Sequence, residues 1–259
     1  MLITLTTDFG VADHFVGAMK GVILGIAPRT QIVDITHGIE PYSINEAAFV
    51  IAQAWRYFPK RTVHVVVVDP GVGSARRPIL AEAGGQFFIA PDNGVLSMIY
   101  DSAPHKVRVI SNTKFMSKIV SRTFHGRDVF APAAAHLARG VAPAKFGQRL
   151  QDYVRSSTLK PQRLSANTYA GAILKVDRFG NLITNLHIDD FSGVRVRPFE
   201  LRAGLERIHR LALTYAETAI GEMFVIVGSS GYLEIAANQT SATKLLGCGA
   251  GAPIQLDIL

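Results

Sequence analysis

The sequence is short of several things, and each shortage excludes something. It has one cysteine, Cys248, in 259 residues. No disulfide can close within the chain, and a reducing cytoplasm is the expected compartment. No apolar run reaches the ~18–20 residues of a membrane span, so no membrane partner is expected. The opening MLITLTTDFG has no basic segment and meets an acid by Asp8. It reads as a first strand, not a signal peptide. No GxxxxGK[ST] and no GxGxxG occurs. The glycines of VVDPGVGSARR are followed by Pro78, which discourages the helix that a phosphate loop needs. HxxxH, CxxC and HExxH are missing too, so no metal and no cofactor is expected. The net charge is +7, but the basic residues are scattered and no stacking aromatics are interleaved with them. A solvated face is favoured over a nucleic-acid partner.

What is present is a globular composition, with 48% hydrophobic and 18% charged residues. Up to about residue 150, strand and helix signals alternate. LITLTT, TQIVDIT, TVHVVVVD, QFFIA and KVRVI read as strands, the third with the continuous β-branched run of a strand buried on both faces. HFVGAMKGVILGIAP, SINEAAFVIAQAWRYF, VLSMIY and RDVFAPAAAHLARG read as helices, the second opened by a capping box of Ser43 and Glu46. This pattern predicts an α/β domain over residues 1–160 with a mostly parallel sheet. QDYVRSSTLKPQRLSANTY reads as a linker. The short β-rich pieces after it, separated by turn residues, predict a smaller all-β, barrel-like domain over residues 161–259.

Ligands of such sheets bind beyond the carboxyl ends of the strands. Polar clusters fall at these ends: Asp8; Asp34, His37 and Tyr42; Asp69; Asp92 and Asn93. His125, Arg127 and Asp128 stand just before a helix. Any one could be a cap or a turn residue. Together on one sheet edge they describe an active site. Asp34 with His37, or His125 with Asp128, has a spacing that could hold a cation, though such pairs are common by chance. In the second domain, KVDRFGNLITN offers a carboxylate, an aromatic and an amide. That trio suits an amine joined to a purine.

Seven motifs, in order over nearly the whole chain, carry a resemblance. They are TTDFGVADHFVGAMKG, DITHGIEPYSINEAAF, HVVVVDPGVGSARR, PDNG, TFHGRDVFAPAAAHLA, VDRFGNLITN and GSSGYLEIAANQTSA. The chain resembles the S-adenosyl-L-methionine hydroxide adenosyltransferases, relatives of the fluorinating and chlorinating enzymes. The resemblance implies an N-terminal α/β domain, a C-terminal β domain, and a homotrimer with active sites between subunits. It implies that Asp69, Arg76 and His125 surround an attacking water. The halogenating relatives carry a hydroxylated residue where this chain has Asp69, and Tyr-Ser where it has His125-Gly126, which disfavours halide chemistry. By the same resemblance, Asp8 grips the ribose hydroxyls and Tyr42 lines the ribose and adenine region. Asp177 faces the methionine ammonium, Asn181 reads adenine, Tyr215 stacks on it, and Ser229 contacts methionine. Ser230 stands where the halogenating enzymes have an arginine for the methionine carboxylate.

The expected reaction is in-line displacement at C5′ of S-adenosyl-L-methionine by water or hydroxide, giving adenosine and L-methionine. The sulfonium leaves as a neutral sulfide and needs no acid. Arg76 favours hydroxide, and His125 or Asp69 accepts the proton. Two rivals stand beside this: a metal-dependent nucleotidase built on Asp8, Asp34 and His37, and a protein that binds S-adenosyl-L-methionine or adenosine without reaction.

Overall fold

A computed structural model describes residues 1–259 as a mixed α/β protein with two sheets. The chain divides into two compact units, Met1–Ser156 and Ser157–Leu259. In the first, the strands are β1 (Leu2–Thr7), β2 (Gln31–Thr36), β3 (Val63–Val67), β4 (Pro78–Ala83), β5 (Gln86–Pro91), β6 (His105–Val109) and β7 (Arg149–Leu150). They are ordered β2-β1-β3-β5-β4-β6-β7. β2, β1, β3 and β5 pair in parallel. β4 runs against both β5 and β6, and β7 against β6. Five strands therefore share one direction, but half of the pairings are antiparallel. PILAEA, unassigned in the sequence, supplies the reversed strand β4. Its Pro78 sits at the first strand position, where proline is tolerated.

The period of two along β3 explains its continuous apolar run. Val63, Val65 and Val67 pack into one core with Met19 and Ile23 of α1 (Phe15–Ile26) and Ala131, Ala134 and Ala135 of α4 (Ala131–Ala138). Val66 and Val68 pack into a second core with Ala47 and Ile51 of α2 (Ile44–Ala54) and Ile99 of α3 (Ser97–Ser102). The capping box does not form. Ser43 makes no side-chain cap bond, and Glu46 instead accepts the Glu40 N–H at 3.1 Å. The tight chain entry at Tyr42 draws the acid to the preceding loop. The opening of the expected linker is docked in this unit: Asp152 binds Arg77, and Tyr153 binds His105 at 2.7 Å.

The second unit has nine strands. They are β8 (Gln162–Arg163), β9 (Thr168–Val176), β10 (Leu182–His187), β11 (Phe199–Ala203), β12 (Glu206–Ile208), β13 (Leu211–Ala212), β14 (Met223–Val227), β15 (Tyr232–Ala237) and β16 (Pro253–Ile258). One short helix, α5 (Ala242–Leu246), precedes the last. The order is β12-β11-β16-β9-β10-β15-β14-β13, with β8 on β9. The basic RVRPFELRAGLERIHR segment is largely the hairpin β11–β12. Glu200 pairs with Arg202 and Arg207, and Arg202 also with Asp257. Arg210 pairs with Glu222, so three of its arginines lie against acids. No helix of the chain is long and apolar enough to cross a membrane.

His64 is fully buried in the middle of β3. Gln86 donates its amide to the carbonyls of Trp55 and Phe58, so its Oε1, 2.5 Å away, accepts from His64 Nε2. Thr4 then donates to Nδ1 at 2.7 Å. Burial, opposed by the Gln86 bond, lowers the His64 pKa from 6.5 to about 4. The native state binds fewer protons than the unfolded chain between these values, so stability falls as pH drops through that window. The loss attributable to His64 is roughly 3 kcal/mol. Urea denaturation from pH 7 to pH 4 should show a shallower decline for His64→Gln than for the parent. Equal slopes would clear His64.

Candidate active site

β1, β2, β3 and β5 end at one sheet edge because they are parallel. β4 begins at that same edge because it is reversed. The loop from Asp69 to Arg76 thus leaves and re-enters the sheet on one side. This geometry makes a carboxylate and a guanidinium neighbours. Gly73 lets the loop close. Its φ is +79°, and a Cβ there would run into the carbonyl oxygen of Arg122. The loop is therefore pressed onto the segment that carries His125.

That segment is itself anchored. Asp128 Oδ2 accepts the Ser121 N–H at 2.8 Å, and both Asp128 oxygens take Arg127. Arg127 also lies over the Phe124 ring at 5.0 Å. Gly126–Phe130 forms a π-helical turn that feeds into α4. Such turns concentrate at functional sites. Here it follows His125 directly. Arg127 and Asp128 hold the loop, and Asp128 is not free to join His125 on a cation.

The Arg76 guanidinium joins the parts. Its Nε donates to Asp69 Oδ1 at 3.0 Å and its Nη2 to Asp69 Oδ2. The same Nη2 donates to His125 Nδ1 at 3.1 Å. A guanidinium has only donors, so Nδ1 is the acceptor and the neutral ring carries its proton on Nε2. The Arg76 and Asp69 side chains are 7% and 6% exposed, so this is a desolvated pair, stiffened by Arg76 over the Phe130 ring at 5.4 Å. Arg76 Nη1 is buried with no protein partner. Burial raises the Asp69 pKa above the usual carboxylate range, against the opposing pull of Arg76. Burial and then the Arg76 charge lower that of His125. The hydrogen bonds fit a carboxylate that takes both guanidinium donors and an imidazole that is unprotonated at Nδ1.

Asp69 and His125 face a cavity of about 330 Å³, which Asp8, Phe9, Phe15, Tyr42 and Phe124 also line. Arg76 is not in the lining; it stands behind the two groups it orients. Phe9, Phe15 and Phe124 meet edge to face or tilted, with centroids 5.1–6.0 Å apart. They were not singled out in the sequence, although two belong to the TTDFGVADHF motif. Asp8 accepts the Tyr42 N–H at 3.0 Å. Tyr42 has φ +68°, strained for a tyrosine, and the residue is 73% exposed. Strain of this kind gathers at ligand clamps.

The other strand-end residues do not join the cavity. Asp92 is buried under Arg77 and accepts the Val154 N–H at 2.8 Å, and Asn93 ties back to the Val68 carbonyl at 2.9 Å. Asp34 is held by Lys20 at 2.6 Å and contacts His37, while His37 binds Thr7 at 2.9 Å. Burial would raise the Asp34 pKa, but the Lys20 bond and the close His37 ring hold it below the usual range. The metal constellation of Asp8, Asp34 and His37 is thus not assembled.

In the second unit, Asp177, Asn181 and Tyr215 do come together. Asp177 Oδ1 accepts the N–H groups of Phe179 and Asn181 at 2.8 and 2.9 Å. Asn181 Nδ2 donates to Asp177 Oδ2 at 2.9 Å and to the Tyr215 hydroxyl at 3.1 Å. Gly180, at φ +86°, makes the turn, and a Cβ there would strike Ser241. Phe179, Asn181, Tyr215, Gln239 and Ser241 line a cavity of about 560 Å³. Asp177 stands behind this lining, and Ser229 lies outside it, exposed in the β14–β15 turn. Glu234 of β15, unnoticed in the sequence, is 9% exposed. Burial and the Asp177 charge raise its pKa. Its signal in the sequence was an acid at an apolar position of YLEIAA.

Comparison with known proteins places these features in a family. Residues 3–147 match the family model of the SAM hydroxide adenosyltransferase N-terminal domain, and residues 171–255 that of the C-terminal domain. The chain is 38% identical over 254 residues to a Salinispora tropica protein named (R)-S-adenosyl-L-methionine hydrolase, covering 96% of this chain and 95% of that one. A Thermus thermophilus protein of the same name is 34% identical over 258 residues, covering 96% and 97%. A fluorinase of Actinoplanes sp. is 30% identical over 271 residues, covering 92% and 91%. A solved structure of a conserved protein from Thermotoga maritima superposes with a TM-score of 0.88 at 37% identity, covering 99% of each chain.

Removing the Arg76 charge should release His125. In Arg76→Met, the His125 titration followed by the NMR shift of its ring Cε1–H should move up toward the ordinary ~6.5. Burial remains, so the return should be incomplete. An unmoved titration would show that Arg76 does not set the state of the ring.

Proposed function

The chain belongs to the SAM hydroxide adenosyltransferase family, and from that premise we propose that it hydrolyses S-adenosyl-L-methionine to adenosine and L-methionine. Water attacks C5′, an O–C5′ bond forms, the C5′–S bond breaks with its electron pair going to sulfur, and one proton is released. The observation that carries the proposal is the buried Asp69–Arg76–His125 constellation on an aromatic-walled cavity. Asp69 and the His125-Gly126 pair stand where the halogenating relatives differ, which favours water over halide.

The residues divide the work. Asp69 accepts the proton. Its raised pKa makes it a better base than an ordinary carboxylate. His125 Nδ1 is already taken by Arg76, so its Nε2–H donates to the water oxygen and orients a lone pair. Arg76 opposes the burial that would otherwise neutralise Asp69. The phenylalanine wall excludes bulk water. That favours a reaction in which the separated charges of nucleophile and sulfonium vanish. Holding oxygen, C5′ and sulfur in line supplies the larger share of the acceleration.

Asp8 and Tyr42 bind the ribose side. Asp177, Asn181, Tyr215 and Ser229 bind the adenine and methionine ends. These roles, the division into a water-activating domain over 1–160 and a binding domain over 161–259, the mostly parallel sandwich and barrel-like forms, the homotrimer with active sites between subunits, and the cytoplasmic location form one proposal with the activity. The relatives' names specify the (R) epimer at sulfur, and we extend that preference to this chain. Inverting a pyramidal sulfonium exchanges the places of methyl and lone pair beside the attacked carbon.

The test is incubation of the pure protein with each sulfonium epimer in ¹⁸O-water, with and without chelator, followed by mass spectrometry. Expected are adenosine labelled at the 5′ oxygen, unlabelled methionine, no chelator effect and faster turnover of the (R) form. Intact substrate with measurable binding would leave a non-catalytic binder instead. Asp69→Ala, Arg76→Ala and His125→Ala should each lower kcat by ~10²–10⁴-fold with KM changed far less. Asp8→Ala should chiefly raise KM. Unchanged turnover in all three triad variants would dismiss the site.

A further inference from the structure

His37 and Asp34, three positions apart in DITHGIEPY, are used by no step above. We propose that His37 is a positioning residue that fixes the Asp8–Phe9 wall of the cavity through Thr7. Its kinetic readout rests on the proposed hydrolysis; the geometry does not.

The direction of the hydrogen bonds can be worked out. Thr7 Oγ1 accepts the Phe9 N–H at 3.2 Å. His37 Nε2 faces Asp34 Oδ1 at 3.1 Å, and a bare nitrogen there would be repelled by the carboxylate, so the neutral ring carries its proton on Nε2. Nδ1, buried and 2.9 Å from Thr7 Oγ1, then accepts the Thr7 hydroxyl hydrogen. The Nε2 contact is off-line, since Nε2 makes no aligned hydrogen bond. Asp34 is anchored in turn by Lys20 of α1. On the other side of Phe9, the Gly10 N–H donates to the His37 carbonyl at 2.8 Å. One residue thus grips the chain on both sides of Phe9, by side chain before it and by main chain after it.

What is gripped matters, because Asp8 and Phe9 both line the cavity and Asp8 also receives the Tyr42 N–H. His37 itself is 6% exposed and not in the lining. It acts only through Thr7 and its own carbonyl. The side-chain tie is the part that mutation can remove. Its loss would let Asp8 and Phe9 shift together and would loosen substrate without altering the Asp69–Arg76–His125 group.

The test pairs kinetics with spectroscopy. Thr7→Val and His37→Leu should each raise KM up to about tenfold, the worth of one buried hydrogen bond, with kcat within about threefold. The double variant should be no worse than the worse single one, because both cut the same tie. His37→Asn, whose amide oxygen can replace Nδ1, should restore KM. His37→Gln, which reaches the place of Nε2 only, should not. Losses that add, a fall in kcat alone, or rescue by Gln and not Asn would overturn the proposal. ¹⁵N spectra of the His37 ring in the parent enzyme should show the Nε2–H tautomer, and an Nδ1–H tautomer would overturn it without any assay. If the parent forms no adenosine, the hydrolase proposal fails alone. Calorimetric adenosine binding, weakened in Thr7→Val and His37→Leu or not, then decides the positioning role.

Discussion

One side chain, Arg76, holds the candidate site together. It binds Asp69 seven positions before it and His125 forty-nine positions after it. Neither partner would keep its state without it. A carboxylate as buried as Asp69 would otherwise be driven toward its neutral form, and the His125 ring would be free to choose its tautomer. The pairing of a desolvated carboxylate with a desolvated guanidinium is expensive in itself. It persists where a function requires a base that is both ionised and dry. The bidentate fork also fixes the carboxylate in the plane of the guanidinium, which a lysine could not do.

The rest of the first unit can be understood as the support of that contact. β3 is packed by helices on both faces, so the position of Asp69 at its end is rigid. The reversal of β4 returns the chain to the same edge with Arg76 in hand. Gly73 lets the loop lie flat against Arg122, and Asp128 fixes the turn from which His125 projects. Burial, with the Phe130 ring under the guanidinium, keeps water from the pair. Each support is local and ordinary; their conjunction at one edge is what makes chemistry available.

Much of this was legible in the sequence. Asp69 stood at the end of an apolar run and His125 just before a helix, while Arg76 and the grouping of the three came from the resemblance; the β-branched run of β3 announced a buried strand. Asp177 and Asn181 were readable as a carboxylate and an amide on one turn. What could not be read followed from tertiary context. PILAEA is too short to distinguish from a loop, and strand direction leaves no mark on composition, so the antiparallel pairings were invisible. FELRA, with alternate burial, was masked by the charges around it. Ser43 and Glu46 had the right spacing for a capping box, but the strained backbone at Tyr42 gave Glu46 a nearer donor. Asp34 and His37 had a metal-like spacing, and only the placement of Lys20 and Thr7 revealed that they were already engaged.

The left-handed backbone at Tyr42 sets a conflict between robustness and use. Asparagine adopts that conformation at lower cost than tyrosine. A laboratory selection for heat resistance alone would therefore be drawn to replace Tyr42, and would be rewarded at first. The price would be the exposed tyrosine that closes one side of the cavity. A population of this protein under thermal pressure should thus recover its lost margin elsewhere, in surface helices or loops far from that edge, and leave the awkward residue in place.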